Sequence, residues 1–235
     1  MTRFFYGAAT STGRVRQVNE DSYLTLPPLF AVADGMGGHD AGEVASAVAI
    51  QVLEQYARGG PLSEDAVLAA LGEANRAVIG RGEAHRMGTT LTGLAALDPS
   101  AGTRLMVFNV GDSRVYRLAD NDFGQLTVDH SEVQEMVLAG AITPEQARTH
   151  PRRNIVTRAL GSDVVLRPDH WLLPPIAGDR YLLCSDGLTG ELTDEEILPL
   201  LLADDPQQSA AALVAAADEA GGHDNTTVIV VDVAG

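Results

Sequence analysis

The amino-acid sequence predicts an α+β layered sandwich from the order and grouping of its segments. Short β-rich segments occur in runs, and amphipathic helical segments occur in pairs. A doubly wound fold would instead alternate strand and helix regularly. The chain has 235 residues, of which 45% are hydrophobic, so it can bury one sizeable core. No Pro- or Ser-rich linker divides it, and we predict one domain over residues 1–235.

The N-terminal part of the chain contains three predicted strands and then two predicted helices. The strands cover residues 4–9, 23–26 and 29–33, and the third ends at Asp34 before a Gly-rich turn. Apolar residues at helical spacing predict a helix over 42–56, with Asp40 as its cap. A second helix begins at Ser63 and continues to about Gly82.

The rest of the chain is mainly β-rich, with one long polar insertion. Strands at 89–97, 104–110, 114–119 and 125–127 indicate an antiparallel meander. Residues 129–161 are polar and segmented, so we predict a mobile flap there, with a short helix over 132–139 and a possible second helix after Thr143-Pro144-Glu145. After the flap we predict strands at 168–173, 180–184 and 226–233 and helices at 194–202 and 207–220.

Composition excludes several classes of function. All 16 basic residues are arginine, which excludes Walker-type phosphate loops, protein-kinase sites and Schiff-base enzymes, since each needs a lysine. The net charge of -16 argues against nucleic acid and anionic membranes as partners. Cys184 is the only cysteine, so no intrachain disulfide or cysteine-based zinc site forms. No apolar stretch approaches the roughly 20 residues that span a bilayer, and we expect a cytoplasmic protein.

Aspartates recur at the ends of short apolar segments. They are Asp34, Asp112, Asp186 and Asp224, and Asn19-Glu20-Asp21 adds a fifth acidic segment. A carboxylate at the end of a buried strand is costly unless something neutralises it. The repeated pattern therefore predicts divalent cations gathered at one rim of a sheet. Taken singly, Asp112, Asp186 and Asp224 fit ordinary turns equally well.

The residues around these aspartates favour a hydrolase with a multi-metal centre. Asp34 could bridge two metals, and Gly35 has no Cβ, so its carbonyl could point at one of them. Arg14 or Arg16 could bind phosphate through its guanidinium fork, with a surface salt bridge as the alternative. His39 could donate a proton to a leaving oxygen or hydrogen-bond a carboxylate, and both roles stay open.

Other hydrolase chemistries do not fit the residues. A cysteine phosphatase needs an arginine six residues after the cysteine, where this chain has Gly190. Neither a Gly-x-Ser-x-Gly elbow nor a His-Glu-x-x-His helix is present. We interpret the other histidines as ordinary polar residues; they are His85, His130, His150, His170 and His223. We interpret Arg114 as a structural ion-pair partner.

At these residues the chain resembles the bacterial branch of the metal-dependent serine/threonine protein phosphatases, the protein phosphatase 2C family. Six blocks occur in the family's order and spacing, at residues 13–21, 33–39, 87–90, 110–114, 184–188 and 222–226. The resemblance implies a four-layer α-β-β-α sandwich, with two central antiparallel sheets flanked by helices. The flap, at about 129–161, would border the substrate.

The resemblance also implies two Mn²⁺ or Mg²⁺ ions and a weaker third ion. The implied ligands are Asp34 as the bridge, the Gly35 carbonyl, Asp186, Asp224, Asp21 and Glu20 partly through water, and Asp112 for the third ion. Arg14 matches the family's phosphate-binding arginine. His39 departs from the eukaryotic pattern, in which histidine follows Asp-Gly directly.

The implied reaction is hydrolysis of phosphoserine and phosphothreonine by direct attack of a metal-bridging water or hydroxide. The implied partners are phosphorylated proteins and a cognate bacterial serine/threonine kinase, and we expect a monomer. Two alternatives stay open. One is a catalytically silent partner-binding module of the same fold, and the other is a phosphatase of small phosphate esters.

Overall fold

A computed structural model describes residues 3–37, 41–81, 87–98, 104–120 and 122–234. The strands are β1 (Arg3–Ser11), β2 (Asp21–Leu26), β3 (Leu29–Gly37), β4 (Met87–Thr89), β5 (Leu91–Ala96), β6 (Leu105–Val110), β7 (Arg114–Ala119), β8 (Asp122–Gln125), β9 (Asp169–Leu173), β10 (Arg180–Cys184) and β11 (Thr226–Ala234). The helices are α1 (Ala41–Arg58), α2 (Glu64–Arg81), α3 (Glu132–Leu138), α4 (Pro144–Arg148), α5 (Asp186–Glu191), α6 (Asp194–Leu201) and α7 (Pro206–Ala220).

The described strands form two antiparallel sheets. One has the order β1-β11-β10-β7-β8, and the other has the order β2-β3-β5-β6-β9, with β4 added beside the end of β3. Apolar side chains from both sheets meet in a central core that includes Phe30, Val107, Leu183 and Ile229, all buried. Alternation along each strand sends the other side chains outward, where helices cover them.

Helices form the two outer layers. Helices α1 and α2 pack on the sheet that contains β3, through a cluster that includes Leu53, Leu71 and Met106. Helices α5, α6 and α7 cover the other sheet through a cluster that includes Leu188 and Leu213. The predicted four-layer α-β-β-α sandwich is therefore confirmed.

Local signals account for where several helices begin. Asp205 is the N-cap of α7 and accepts a hydrogen bond from the Gln207 N–H at 2.8 Å, with Pro206 at the first helical position. Thr193 and Glu196 form a capping box at the start of α6. The predicted cap Asp40 and the predicted helix end Gly82 lie outside the described residues.

Two sequence-based expectations about strands were wrong. Strand β3 does not end at Asp34 but continues to Gly37, because β4 pairs with its last three residues. The predicted meander is divided between the sheets: β6 pairs with β5 and β9, whereas β7 pairs with β10 and β8. The crossover lies at Gly111, whose φ of 113° favours glycine.

The predicted flap segment, residues 129–161, contains α3 and α4 and returns to its starting point. A bridge between Ser131 and Val156 closes its base, and Arg152 forms an ion pair with Glu132 across it.

Among the described helices, none combines the length and apolar character needed to cross a membrane.

Candidate metal and phosphate site

Two carboxylates face each other where β2 begins beside β3. Asp21 and Asp34 are direct cross-strand partners in the antiparallel register. The backbone around Asp34 is held by the next segment, since Thr90 Oγ1 accepts the Asp34 N–H at 2.9 Å and the Thr90 N–H donates to the Asp34 carbonyl at 2.9 Å. The backbone of Asp34 is therefore held in place on a well-paired strand.

The other sheet brings Asp186 to the same place. Ser185 ends the turn after β10, and its hydroxyl donates to Asp21 Oδ2 at 2.8 Å, which joins the two sheets. The Ser185 hydroxyl oxygen also accepts the Thr227 N–H at 2.9 Å. Asp186 follows as the first residue of α5 and lies within hydrogen-bond reach of Asp34. The predicted rim is thus formed by both sheets of the sandwich, and the expectation of a single sheet's rim was wrong.

Asp224 approaches from the loop before β11. Its Oδ2 accepts a hydrogen bond from Arg16 Nη2 at 2.6 Å, and its Oδ1 accepts the Asn225 N–H at 2.8 Å. The Asn225 side chain accepts the Glu20 N–H at 2.8 Å and donates to the carbonyls of Thr12 and Val18. Asn225 thereby holds the 12–20 loop, which carries the arginines, against the aspartates.

Asp112 lies in the crossover between β6 and β7 and is only 8% exposed. Its neighbour Ser113 is 2.7 Å from Thr90 through their hydroxyl oxygens, which connects the crossover to the segment that holds Asp34. Arg114 forms a two-pronged ion pair with Asp129 and a hydrogen bond to Tyr116, as expected for a structural ion-pair partner.

Gly35 and Glu20 place the beginning of α1 beside the aspartates. A Cβ on Gly35 would lie 2.1 Å from the Gly42 carbonyl oxygen and 2.6 Å from that of Glu20, so only glycine fits. The Glu20 carboxylate accepts a hydrogen bond from the Gly42 N–H in the first turn of α1. Glu20 therefore contacts the helix N-terminus in addition to facing Arg16 and Asp224.

Burial and mutual repulsion make the carboxylates costly to ionise together. Burial raises the pKa of Asp21 to about 7. Burial, and then the neighbouring Asp21, raise the pKa of Asp34 well above its usual range. Burial also raises the pKa of Asp112 and of Asp186, and repulsion from Asp186 and from Asp224 respectively is the next cause. Such a group is stabilised by bound cations.

The donor set fits hard divalent cations. It consists of carboxylate oxygens, and Asp21 Oδ1 is buried without a hydrogen-bond partner among the described residues. Over the same part of the chain, no three acidic, His or Cys side chains are arranged to hold an ion by themselves. Water and a bound phosphate would have to complete the coordination, which is how Mg²⁺ is commonly held.

The two residues expected to act on the phosphate differ in what the structure says of them. Arg14 is exposed, and its N–H donates to the Gly222 carbonyl at 2.7 Å. Its guanidinium makes no hydrogen bond or ion pair within the described ranges. His39 lies outside the described residues.

A cavity of about 500 Å³ opens next to the aspartates. Asp112 and Asp186 line it, together with the flap residues Val133, Ala147 and Arg153. The cavity is large enough to admit side chains of a peptide. The flap segment therefore borders the carboxylate group.

Sequence reasoning does not predict two residues that organise the site. Ser185 and Asn225 lie in two of the six blocks that match the family, but no local pattern predicts what either side chain contacts. Their contacts join segments far apart in the chain, such as Ser185 with Asp21. Neither periodicity nor local spacing contains that information.

Comparison with known proteins identifies a family and agrees with the fold. The sequence model of the family described as protein phosphatase 2C matches residues 10–211. The chain is 43% identical over 203 residues to the serine/threonine protein phosphatase PstP of Mycobacterium tuberculosis. That match covers 83% of this chain but 38% of the relative, so the chain spans well under half of that protein's length. It is 38% identical over 211 residues to the serine/threonine phosphatase stp of Listeria welshimeri, covering 82% of this chain and 81% of the relative.

Solved structures are similar over the whole chain. The crystal structure of the Mycobacterium tuberculosis serine/threonine phosphatase PstP/Ppp superposes with a TM-score of 0.92 at 40% identity, covering 99% of each chain. The catalytic domain of PstP in complex with two manganese ions gives a TM-score of 0.92 at 39% identity and covers 100% of both chains.

Proposed function

This chain belongs to the protein phosphatase 2C family, and from that premise we propose that it is a metal-dependent protein serine/threonine phosphatase. The observation that carries the proposal is the convergence of carboxylates from both sheets on one point, centred on the facing pair Asp21 and Asp34. Their raised pKa values mean that the group is poorly neutralised by the protein alone. Bound cations would supply the missing positive charge.

We assign the ligands as the family resemblance implies. Asp34 would bridge two Mn²⁺ or Mg²⁺ ions, with the Gly35 carbonyl, Asp186, Asp224, Asp21 and Glu20 completing the set directly or through water. Asp112 would contribute to a weaker third ion. When bound, two such ions lower the pKa of a shared water and offset the charge of the phosphate.

The chain's own residues have three tasks in this reaction. Arg14, whose guanidinium has no hydrogen bond or ion pair among the described residues, offers its fork to two phosphate oxygens. Ser185 fixes the Asp21 carboxylate by donating to Oδ2, which leaves Oδ1 available to the site. Arg16 holds Asp224 through a charge-assisted hydrogen bond.

No protein nucleophile is needed. The only cysteine, Cys184, is fully buried, and burial raises the pKa of its thiol to about 12. The thiolate that a cysteine phosphatase uses is therefore absent at neutral pH. The family resemblance implies water as the nucleophile, and His39 stays a candidate proton donor.

The substrate class and setting follow from the family. We propose phosphorylated proteins as substrates, a cognate bacterial serine/threonine kinase as the enzyme that produces them, and a cytoplasmic monomer as the working form. The domain assignment, with residues 129–161 as a flap bordering the substrate, belongs to the same proposal and is supported by the cavity beneath that segment.

The test is a comparison of kcat/KM for phosphothreonine and phosphoserine peptides with kcat/KM for small phosphate esters, with Mn²⁺ and with chelator. We expect metal-dependent turnover that favours the peptides. Faster turnover of a small ester would replace protein substrates with metabolites. Mn²⁺ binding without any hydrolysis would indicate the silent partner-binding module.

A further inference from the structure

His130 is a buried histidine at the beginning of the flap, and only 5% of it is exposed. It contacts Gly111 twice. The His130 N–H donates to the Gly111 carbonyl at 2.9 Å, and the Gly111 N–H donates to the His130 ring at Nδ1, 3.1 Å away. The ring thus provides a pairing partner for Gly111 immediately after β6 ends.

These contacts define the tautomer of the ring. Nδ1 accepts a hydrogen bond, so it carries no proton, and the neutral ring has its proton on Nε2. Nε2 is 3.2 Å from Asp169 Oδ2, at the start of β9, and donates to it. Burial lowers the pKa of His130, which keeps the ring neutral near pH 7.

The other end of the flap is tied to the same place. The Thr157 N–H donates to the His130 carbonyl at 2.7 Å. Arg158 Nη1 donates to Asp169 Oδ1 at 3.1 Å, and it also lies 3.2 Å from His130 Nε2. Arg158 Nη1 and the protonated His130 Nε2 are both donors, so they do not hydrogen-bond to each other. Arg158 Nη1 therefore donates to Asp169.

Gly111 immediately precedes Asp112, whose buried carboxylate belongs to the group at the rim. A shift of the Gly111 peptide would therefore move Asp112. Asn109 Nδ2 donates to the Gly111 carbonyl at 2.9 Å but does not contact the Gly111 N–H. Among the described residues, the His130 ring is the acceptor for that N–H.

We propose that His130 is a positioning residue that holds the Gly111–Asp112 turn and both ends of the flap as one unit. The inference rests on the proposed function, in which Asp112 contributes to the weaker metal site. Residues that orient a ligand in this way alter metal affinity or activity about 10- to 100-fold when they are lost.

Two substitutions test the contacts of the two ring nitrogens separately. His130→Asn places an amide oxygen near the position of Nδ1 and so keeps the acceptor for Gly111. His130→Gln reaches the position of Nε2 and keeps the contact to Asp169 but loses that acceptor. His150→Ala is the matched control, because the Nδ1 of His150 also accepts a backbone N–H, that of Arg152 at 3.2 Å, within the flap alone.

The first readout is made on the metal-free full chain and does not depend on activity. We expect NMR of the wild-type ring to show the Nε2–H tautomer. The Gly111 amide should exchange with solvent at least about 10-fold faster in His130→Gln than in the wild type and in His130→Asn. Protonated Nδ1, or equal exchange in all variants, would overturn the proposal.

The second readout is Mn²⁺ binding by calorimetry. We expect the weakest Mn²⁺ site to lose about 10- to 100-fold in affinity in His130→Gln. His130→Asn and His150→Ala should stay within about threefold of the wild type. Equal losses in His130→Asn and His130→Gln would show that the Gly111 contact does not position Asp112. A wild type that binds no Mn²⁺ would instead refute the proposed function, and the amide-exchange result would still decide the role of His130.

Discussion

Asp21 and Asp34 are direct cross-strand partners in the antiparallel β2–β3 pair. Like charges in this position destabilise a sheet, and here Asp186 from the other sheet adds a third carboxylate. Repulsion between these carboxylates therefore destabilises the metal-free protein. Binding of cations would convert this repulsion into attraction, which is the relation between fold and function that the predictions below address.

Asp34→Asn should stabilise the metal-free protein and abolish its response to metal. The substitution removes the cost of burying a charge and the repulsion from neighbouring carboxylates. We therefore expect the free energy of unfolding in chelator to rise by about 1 to 3 kcal/mol. With Mn²⁺ at 100 times its Kd, the wild type should gain about 2.7 kcal/mol and the variant much less. Urea unfolding measures both, with Asp65→Asn on the exposed start of α2 as the control. A metal-free Asp34→Asn protein less stable than the wild type would contradict this interpretation.

The stability of the metal-free protein should fall as the pH rises from about 4 to about 8. In the folded state the pKa of Asp21 is about 7, against 3.8 for an unperturbed aspartate. Between these values the folded state binds more protons than the unfolded state, so the slope of stability against pH is negative. Saturating Mn²⁺ should weaken or reverse the slope, because the metal competes with the protons. Chemical unfolding across this pH range in chelator tests the sign, and a rising curve would count against the raised pKa.

Arg14→Ala should weaken binding of phosphate. The guanidinium is expected to make charge-assisted hydrogen bonds worth about 1.5 to 3 kcal/mol, so kcat/KM for a phosphopeptide should fall about 10- to 100-fold. Arg14→Lys restores the charge but not the fork, and should recover only part of the loss. Arg58→Ala, which removes an exposed pair with Glu54, is the control. Unchanged inhibition by inorganic phosphate in Arg14→Ala would exclude this role.

Gly35→Ala should disturb the contact between β3 and α1. Its methyl group would lie 2.1 Å from the Gly42 carbonyl oxygen, and backbone on both sides would have to shift. We expect a loss of about 2 to 4 kcal/mol in stability together with weaker metal binding. Gly124→Ala is the control, since a Cβ there meets nothing within 4 Å. Thermal unfolding of both variants distinguishes a specific effect from a general cost of replacing glycine in a strand.

The sequence allowed most of the fold to be predicted, because amphipathic periodicity and turn residues mark strands and helices locally. It failed where pairing is decided by distant segments. Strand β3 passes through Asp34 because β4 pairs beyond it, and β6 and β7 separate into different sheets at Gly111. The acidic residues of the site could be chosen from their positions at strand ends and from the family resemblance. The supports provided by Ser185, Asn225 and His130 could not, since each depends on a contact across the fold.

The most direct test of the central claim is hydrolysis of a phosphothreonine peptide by the wild type and by Asp186→Asn, each with Mn²⁺, with Mg²⁺ and with chelator. Asp186 is chosen because it brings the second sheet to the facing pair Asp21 and Asp34. We expect wild-type turnover that requires the metal, and a loss of at least about 100-fold in kcat in the variant. Wild-type turnover that persists in chelator, or an Asp186→Asn protein that matches the wild type, would contradict the account.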